Sequence, residues 1–421
     1  MKNIAFLFSG QGSQYKGMGQ ELFENYDSVK ALFATASELL DLDMAALCFG
    51  DSLEDLNQTE NTQPAILLTS VASYQAFIEE TKITPKWLAG HSLGEISALV
   101  CANSMSFSEG IQLARARGLA MAKASDGANL GMSAITKIDS HQVREICQQQ
   151  DAFSLDSSDK TFVVANYNSP KQTVLSGDKE ALAAVGEILK TKEADVIPLR
   201  VSSAFHSPYM SDAAESLRQP LGEIEWQTPK IPVLSNVTAR VHHNKDAIAE
   251  SLVQQMTHPV LWQDTMHFLQ RQHIDLYIES GPGDVLKKLA KANLDTHRSY
   301  ALDKQEDSEP LLDFLAHDIR LVNEKPEFIG KCLAIAVSTR NANWDEQAYQ
   351  EGVIQPYETI KKMQEEFGSQ SKEPDEESMR TVLTLLNRIF ETKGTSQIER
   401  KMRFQQLADI EGRSWISEFA S

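Results

Sequence analysis

The chain has 421 residues, more than one hydrophobic core normally serves, so two or three domains are expected. With 42% hydrophobic and 24% charged residues it has the composition of a folded globular protein, not of a disordered one. A formal net charge of -19 sets the surface against nucleic acid and anionic membrane, and neither is expected as a partner.

Four cysteines (Cys48, Cys101, Cys147, Cys332) lie far apart with no CxxC pair. They read as reduced, buried thiols rather than a disulfide frame or a zinc site. The opening "MKNIAFLFSGQG" has too short an apolar run for a signal peptide, and no stretch approaches the length that spans a bilayer. A soluble, cytoplasmic protein is expected.

In chain order, Lys2 to Phe8 predicts a buried strand that runs into the tight loop Ser9-Gly10-Gln11-Gly12. Helical periodicity follows from Gly17 to Leu40. It returns from Pro64 to Glu79, with Leu67, Leu68, Val71 and Tyr74 on one face. Trp87-Leu88-Ala89 reads as a short strand and Leu93 to Ala102 as a helix, with Gly-His-Ser-Leu-Gly between them. Strand, glycine-flanked serine and helix are the context of a nucleophile elbow. From Gly131 to Arg200 the pattern is β-α-β-β-α-β: strands at Met132–Ile135, Thr161–Asn166, Gln172–Ser176 and Ala194–Leu199, helices at His141–Gln150 and Lys179–Lys190. That order is ferredoxin-like and predicts an inserted subdomain. The core resumes with "IPVLSNVTA" (Ile231 to Ala239), a helix near Ala247 to Met256, and "DLYIESGPGDVLKKLAK" (Asp275 to Lys291), again strand, turn and helix. After Lys304, "KQEDSEP" reads as a charged connector to a mostly helical region. A helix there starts near Ser371 or Pro374, and the acidic run Glu373 to Glu377 is its solvated N-terminus. "CLAIAVSTRNANWDE" (Cys332 to Glu346) is the most apolar segment of that region and is expected to pack against the core or a partner.

On an elbow, Ser92 is presented at the tip of a strained turn. The amide of Leu93 then points at a developing oxyanion with the helix dipole behind it. Sequence spacing does not choose the base among ten histidines, because triad partners meet in space. His91 adjoins the serine but points elsewhere on such a turn; His206, in "SSAFHSPYM", is a leading candidate. "SGQGSQ" (Ser9 to Gln14) lacks both a P-loop lysine and a GxGxxG spacing, so its amides suit an oxyanion hole better than a phosphate cradle. Arg115 and Arg117 lie on a predicted helix. An arginine turned into a cleft there would bind a carboxylate through its planar fork.

Seven stretches in register ("FLFSGQGSQYKGMG", "GHSLGEISALV", "ARGLAM", "AFHSPYM", "SNVTA", "THPVLW" and "ESGPGDVL") resemble the malonyl-CoA:acyl-carrier-protein transacylase family, including the discrete trans-acting acyltransferases of polyketide synthases. The resemblance covers residues 1 to 300. It implies an α/β fold: an α/β-hydrolase-like core (1–129 and 201–304), a ferredoxin-like subdomain (130–200) and, beyond the family pattern, a helical C-terminal extension (305–421). It also implies that Ser92 is the acylated nucleophile, His206 its base and Gln255 the residue that orients the histidine. The amides of Gln11 and Leu93 would form the oxyanion hole, and Arg117 would pair with the malonyl carboxylate. Phe205 resembles the malonyl-selective form of its motif, a steric preference worth about 1–3 kcal/mol. Ser9 departs from the proline that many members carry there. The implied substrates are malonyl-CoA and an acyl carrier protein, with no metal or redox cofactor. The alternatives are a proofreading acyl hydrolase, which generally lacks the arginine, and a non-catalytic docking subunit.

Overall fold

The computed structural model describes residues 2–50, 52–154, 161–201, 203–294, 298–323, 328–370, 374–411 and 413–420. The chain divides into two compact units, Met1–Ile319 and Arg320–Ser421. No helix among the described residues is long and apolar enough to cross a membrane.

In the first unit, β1 (Ile4–Phe8) is apolar throughout and buried at every residue, as a strand covered on both faces must be. It pairs in parallel with β2 (Trp87–Gly90) on one side and β7 (Leu276–Ser280) on the other; β8 (Ser299–Ala301) completes the order β2-β1-β7-β8. Phe8 stands beside both Gly90 and Ser280, so three strands end together. Carboxyl ends of parallel strands are where α/β sheets place their ligands. "IPVLSNVTA" adds only a bridge at the outer edge of β2, Leu88 to Val233, which carries Asn236 to the end of that strand.

Two helical expectations change. The stretch Gly17–Leu40 forms α1 (Gln20–Asn25) and α2 (Asp27–Leu40), parted by Tyr26 in extended backbone, where Asp27 opens a new first turn. The second helix, α3 (Thr59–Thr81), begins before Pro64 and is buried on all sides from Asn61 to Ser73, not along one face. Pro64 has no N–H for the carbonyl of Glu60. That carbonyl accepts from Arg115 Nη1 at 2.8 Å instead, so the helix continues through the proline. α4 (Leu93–Cys101) follows β2, and α5 (Phe107–Ala124), which carries Arg115 and Arg117, packs along α3.

The second sheet contains β3 (Leu130–Thr136), β4 (Phe162–Ser169), β5 (Gln172–Asp178) and β6 (Asp195–Pro198), antiparallel in the order β4-β5-β3-β6. Helices α6 (Ser140–Gln148) and α7 (Lys179–Lys190) cover one face, burying Val143, Cys147, Leu182, Val185 and Leu189 against Phe162, Val164 and Leu175. The β-α-β-β-α-β chain order is as the sequence predicts. Beyond it come α8 (Ile248–Gln255) and, after β7, α9 (Val285–Asn293).

The expected connector "KQEDSEP" is instead the start of α10 (Gln305–Asn323). One of its charges is tied down, Asp307, which accepts from Ala301 N at 2.8 Å and from Lys287 Nζ at 2.6 Å, while Glu306 and Glu309 stay exposed and Leu311 and Leu315 are buried.

The second unit is helical, with α11 (Phe328–Ser338), α12 (Gln355–Gln370), α13 (Glu376–Thr392) and α14 (Gln397–Glu411). Ser371 and Glu373 lie outside the described residues. α13 starts at Glu376, capped by Asp375, which accepts from Ser378 N at 2.9 Å. Of the segment Cys332–Glu346, Cys332, Leu333 and Ala336 enter this unit's own core with Leu383, Leu386 and Phe404. Val337 and Trp344 stay exposed. Lys393 is buried and donates to the carbonyls of Ala336 and Thr339 at the end of α11, a cation meeting the negative end of a helix. Leu386, fully buried, is the test of this core: Leu386→Ala is expected to cost about 2–5 kcal/mol, measured by urea unfolding of the full chain.

Candidate active site

Ser92 lies between β2 and α4 with φ 53° and ψ -107°, a backbone conformation that a side chain rarely adopts and that costs about 1–3 kcal/mol. Close packing requires the glycines on either side. A Cβ on Gly90 would meet Gly94 C and O at 1.9 Å, and one on Gly94 would meet Phe8 O at 2.0 Å. The turn is therefore pressed against the end of β1. Asn236 spans it, accepting from Ser92 N at 2.7 Å and donating to Gly90 O at 2.7 Å. His91 turns away, its Nε2 paired with Asn168 Oδ1 of β4 at 2.8 Å.

Ser92 Oγ lies 2.8 Å from His206 Nε2. His206 Nδ1 is 2.7 Å from the main-chain carbonyl of Gln255, which can only accept. The proton therefore sits on Nδ1, leaving Nε2 to take the serine proton. Burial, and next the nearby Arg117 guanidinium, push the imidazole down to about 3, so it is neutral at ordinary pH. His206 was one histidine among ten in the sequence; the fold brings it, and not His91, to the hydroxyl.

Arg117, buried on α5, points into the same site. Its Nη2 donates to Ser92 Oγ at 3.1 Å and to Gln255 Oε1 at 3.0 Å, and its Nη1 donates to Gln63 Oε1 at 2.8 Å. All three acceptors are neutral. Burial lowers the guanidinium to about 10, opposed by the charge of Glu95, and it stays protonated at neutral pH. Arg115 faces away, to Glu60 O and Asn61 Oδ1.

Gln255 meets the histidine through its main chain, while its side chain joins Arg117 to Ser92 O (3.0 Å) and Glu95 Oε2 (2.8 Å). Leu93 is the first residue of α4 and Gln11 follows β1. Neither amide has an acceptor among the described residues. Phe205 is buried beside His206, its carbonyl accepting from Ser176 Oγ of β5 at 2.7 Å.

Sequence reasoning missed Gln63, Glu95, Asn236 and His242. Glu95 and Asn236 stand inside "GHSLGEISALV" and "SNVTA", but nothing in their spacing says that they touch.

Because His206 is neutral far below the ordinary histidine range, loss of reactivity by its protonation would begin only as pH approaches that depressed value. Ser92 labelling by an alkyl fluorophosphonate is therefore expected to stay flat from about pH 8 to about pH 5, with no fall near the ordinary histidine value. Gly94→Ala, which drives a methyl into Phe8 O, is expected to cost about 1–3 kcal/mol in urea unfolding and to abolish that labelling.

Residues 5–309 match the acyl transferase domain family. A malonyl CoA-acyl carrier protein transacylase of Bacillus subtilis is 35% identical over 394 residues, 93% of this chain and 97% of that one, so the likeness continues past the matched domain. The solved malonyl CoA-acyl carrier protein transacylase of Clostridium perfringens superposes with a TM-score of 0.71 at 34% identity, covering 76% of this chain and all of that one (100%). A malonyl-transacylase solved in complex with its type II polyketide synthase acyl-carrier protein gives 0.69 at 35% identity, over 74% of this chain and 99% of its own. The α/β fold and the matched domain agree: the chain belongs to the acyl transferase family, with the malonyl CoA-acyl carrier protein transacylases.

Proposed function

We propose that this chain moves a malonyl group from malonyl-CoA, through an ester on Ser92, to the phosphopantetheine thiol of an acyl carrier protein. The observation that carries this reading is Arg117: a buried guanidinium, held by neutral acceptors, 3.1 Å from the hydroxyl of Ser92. That nearness supports a pairing of Arg117 with a carboxylate on the acyl group attached there.

Ser92 Oγ attacks the thioester carbonyl as His206 Nε2 takes its proton, and the amides of Gln11 and Leu93 receive the oxyanion. The tetrahedral intermediate collapses, the C–S bond breaks, and CoA leaves with the proton held by His206. In the second half the carrier thiol gives its proton to His206 and attacks the seryl ester, and Ser92 Oγ leaves and recovers that proton. Arg117 opposes charge on His206. A malonyl carboxylate paired with the guanidinium cancels part of that opposition, so the right substrate also strengthens the base. Nucleophile and base are both protein groups, and the reaction calls for no metal or redox cofactor.

The finer architecture follows the same reading: an α/β-hydrolase-like core of residues 1–129 and 201–304, a ferredoxin-like subdomain of 130–200, and a helical extension of 305–421. The antiparallel order β4-β5-β3-β6 supports the second. The Bacillus relative, aligned over 93% of this chain, supports the extension as a shared feature, suited to an enzyme that acts in trans on a polyketide or fatty-acid synthase in the cytoplasm. Phe205, buried next to His206, supports a preference for malonyl over methylmalonyl. Arg117 speaks against an acyl hydrolase, since a pocket for plain acyl chains would leave a buried charge unmatched. The Ser92–His206 bond speaks against a non-catalytic docking subunit.

Intact mass after mixing with malonyl-CoA, methylmalonyl-CoA or acetyl-CoA, with and without holo carrier protein, tests the reading. A malonyl adduct that is absent in Ser92→Ala and leaves to the carrier thiol is expected; release to water alone would make the protein a hydrolase. Arg117→Ala removes a charge-assisted pair worth about 1.5–3 kcal/mol, so malonyl loading is expected to fall about 10–100-fold while acetyl loading falls much less. An equal fall for both would remove Arg117 as the carboxylate ligand.

A further inference from the structure

Ser-x-x-Glu at a helix start is the signature of a capping box, in which the serine hydroxyl accepts from the amide three residues on and the glutamate reaches back to the serine amide. The chain carries the pattern at two successive helices. At α5 the box forms: Ser106 Oγ accepts from Glu109 N at 3.2 Å and Glu109 Oε2 from Ser106 N at 2.7 Å. At α4 it does not. Ser92 makes no side-chain cap, and its amide donates to Asn236 Oδ1 instead. This leaves the hydroxyl free for His206, and it leaves Glu95 without its usual partner.

Glu95 turns inward and is fully buried. Its Oε1 accepts from His242 Nε2 at 2.8 Å; its Oε2 accepts from Asn236 N at 2.9 Å and Gln255 Nε2 at 2.8 Å. A carboxylate this deep is costly unless its lone pairs are used, and here three donors from outside its own helix converge on it. Two of those donors belong to residues that hold the reacting groups. Asn236 grips both sides of the elbow, at Ser92 N and Gly90 O. Gln255 holds His206 Nδ1 by its carbonyl and Arg117 and Ser92 O by its side chain. Glu95 itself has no hydrogen bond to Ser92 Oγ or to the His206 ring among the described residues.

We propose that Glu95, anchored by His242, is a positioning residue: one carboxylate sets the holder of the nucleophile and the holder of the base and guanidinium relative to each other. The inference rests on Ser92 being the acylated nucleophile. Among the described residues His242 has no hydrogen bond to the reacting groups: its main chain pairs with Val233 in the hairpin that carries Asn236, and its side chain bonds Glu95, so a side-chain change that leaves the fold intact reaches Ser92 by way of Glu95.

The test measures phosphonylation of Ser92 by an alkyl fluorophosphonate, in which the serine oxygen displaces fluoride from phosphorus without CoA, carboxylate or carrier. It is run alongside the KM and kcat of malonyl-CoA loading, with thermal unfolding as the folding control. His242→Leu is expected to slow phosphonylation and kcat about tenfold while KM changes by less than about threefold. Glu95→Leu is expected to slow both about 100-fold, the scale of a small misalignment of reacting groups. Glu95→Gln is expected to recover about tenfold of that, because its carbonyl can still accept from Asn236 N and Gln255 Nε2. His242→Leu and Glu95→Gln carry the test if Glu95→Leu does not fold. A folded His242→Leu labelled at the wild-type rate overturns the inference alone, as does a folded Glu95→Gln no better than a folded Glu95→Leu. A wild type that is not labelled removes the acyl-transfer reading and this inference with it.

Discussion

The backbone of Ser92 is the constraint on which the rest of the site depends. A residue at φ 53° and ψ -107° is unfavourable by itself and persists only where its surroundings over-determine it. Gly90 and Gly94 let the turn close against Phe8, the parallel register sets Phe8 beside Gly90, and Asn236 ties the two sides of the turn together. The strain lifts the hydroxyl clear of its own helix and toward His206.

The second organising feature is the arrangement of buried charge. Arg117 and Glu95 do not pair directly; the side-chain amide of Gln255 stands between them, accepting from one and donating to the other. A direct ion pair would give the guanidinium a charged partner; here it meets only neutral acceptors. Through an amide spacer, Glu95 offsets the cost of burying the arginine while leaving its Ser92-facing side with only a neutral oxygen. The main chain of the same glutamine fixes the histidine tautomer, so the orientation of His206 and the charge balance rest on one residue.

Where structure and sequence differ, the reason is tertiary packing. α3 reads as amphipathic, yet from Asn61 to Ser73 it is buried on every side; its polar Asn61, Thr62 and Gln63 are buried because they meet Arg115, the Leu56 carbonyl and Arg117. "KQEDSEP" reads as a charged connector because its charges are dense, but Asp307 is matched by Lys287 and the Ala301 amide, partners that adjoin it only once β8 and α9 are in place. At Ser92 the amide that a capping box would use is taken by Asn236, 144 residues away in sequence.

By itself, the sequence determined what depends on near neighbours: the strand, glycine-flanked turn and helix around Ser92, the β-α-β-β-α-β order, the apolar run of β1, and the position of α5 that carries Arg117. These follow from periodicity and backbone sterics, which act over a few residues. The tertiary structure alone decided which of ten histidines meets the serine, which way Arg115 and Arg117 point, and that the carbonyl rather than the side chain of Gln255 holds His206. It also decided that Glu95 leaves its helix cap for His242, Asn236 and Gln255. Those outcomes depend on segments far apart in the chain meeting at the ends of parallel strands, where the direction of a buried polar side chain is set by whichever donors and acceptors the fold leaves within reach.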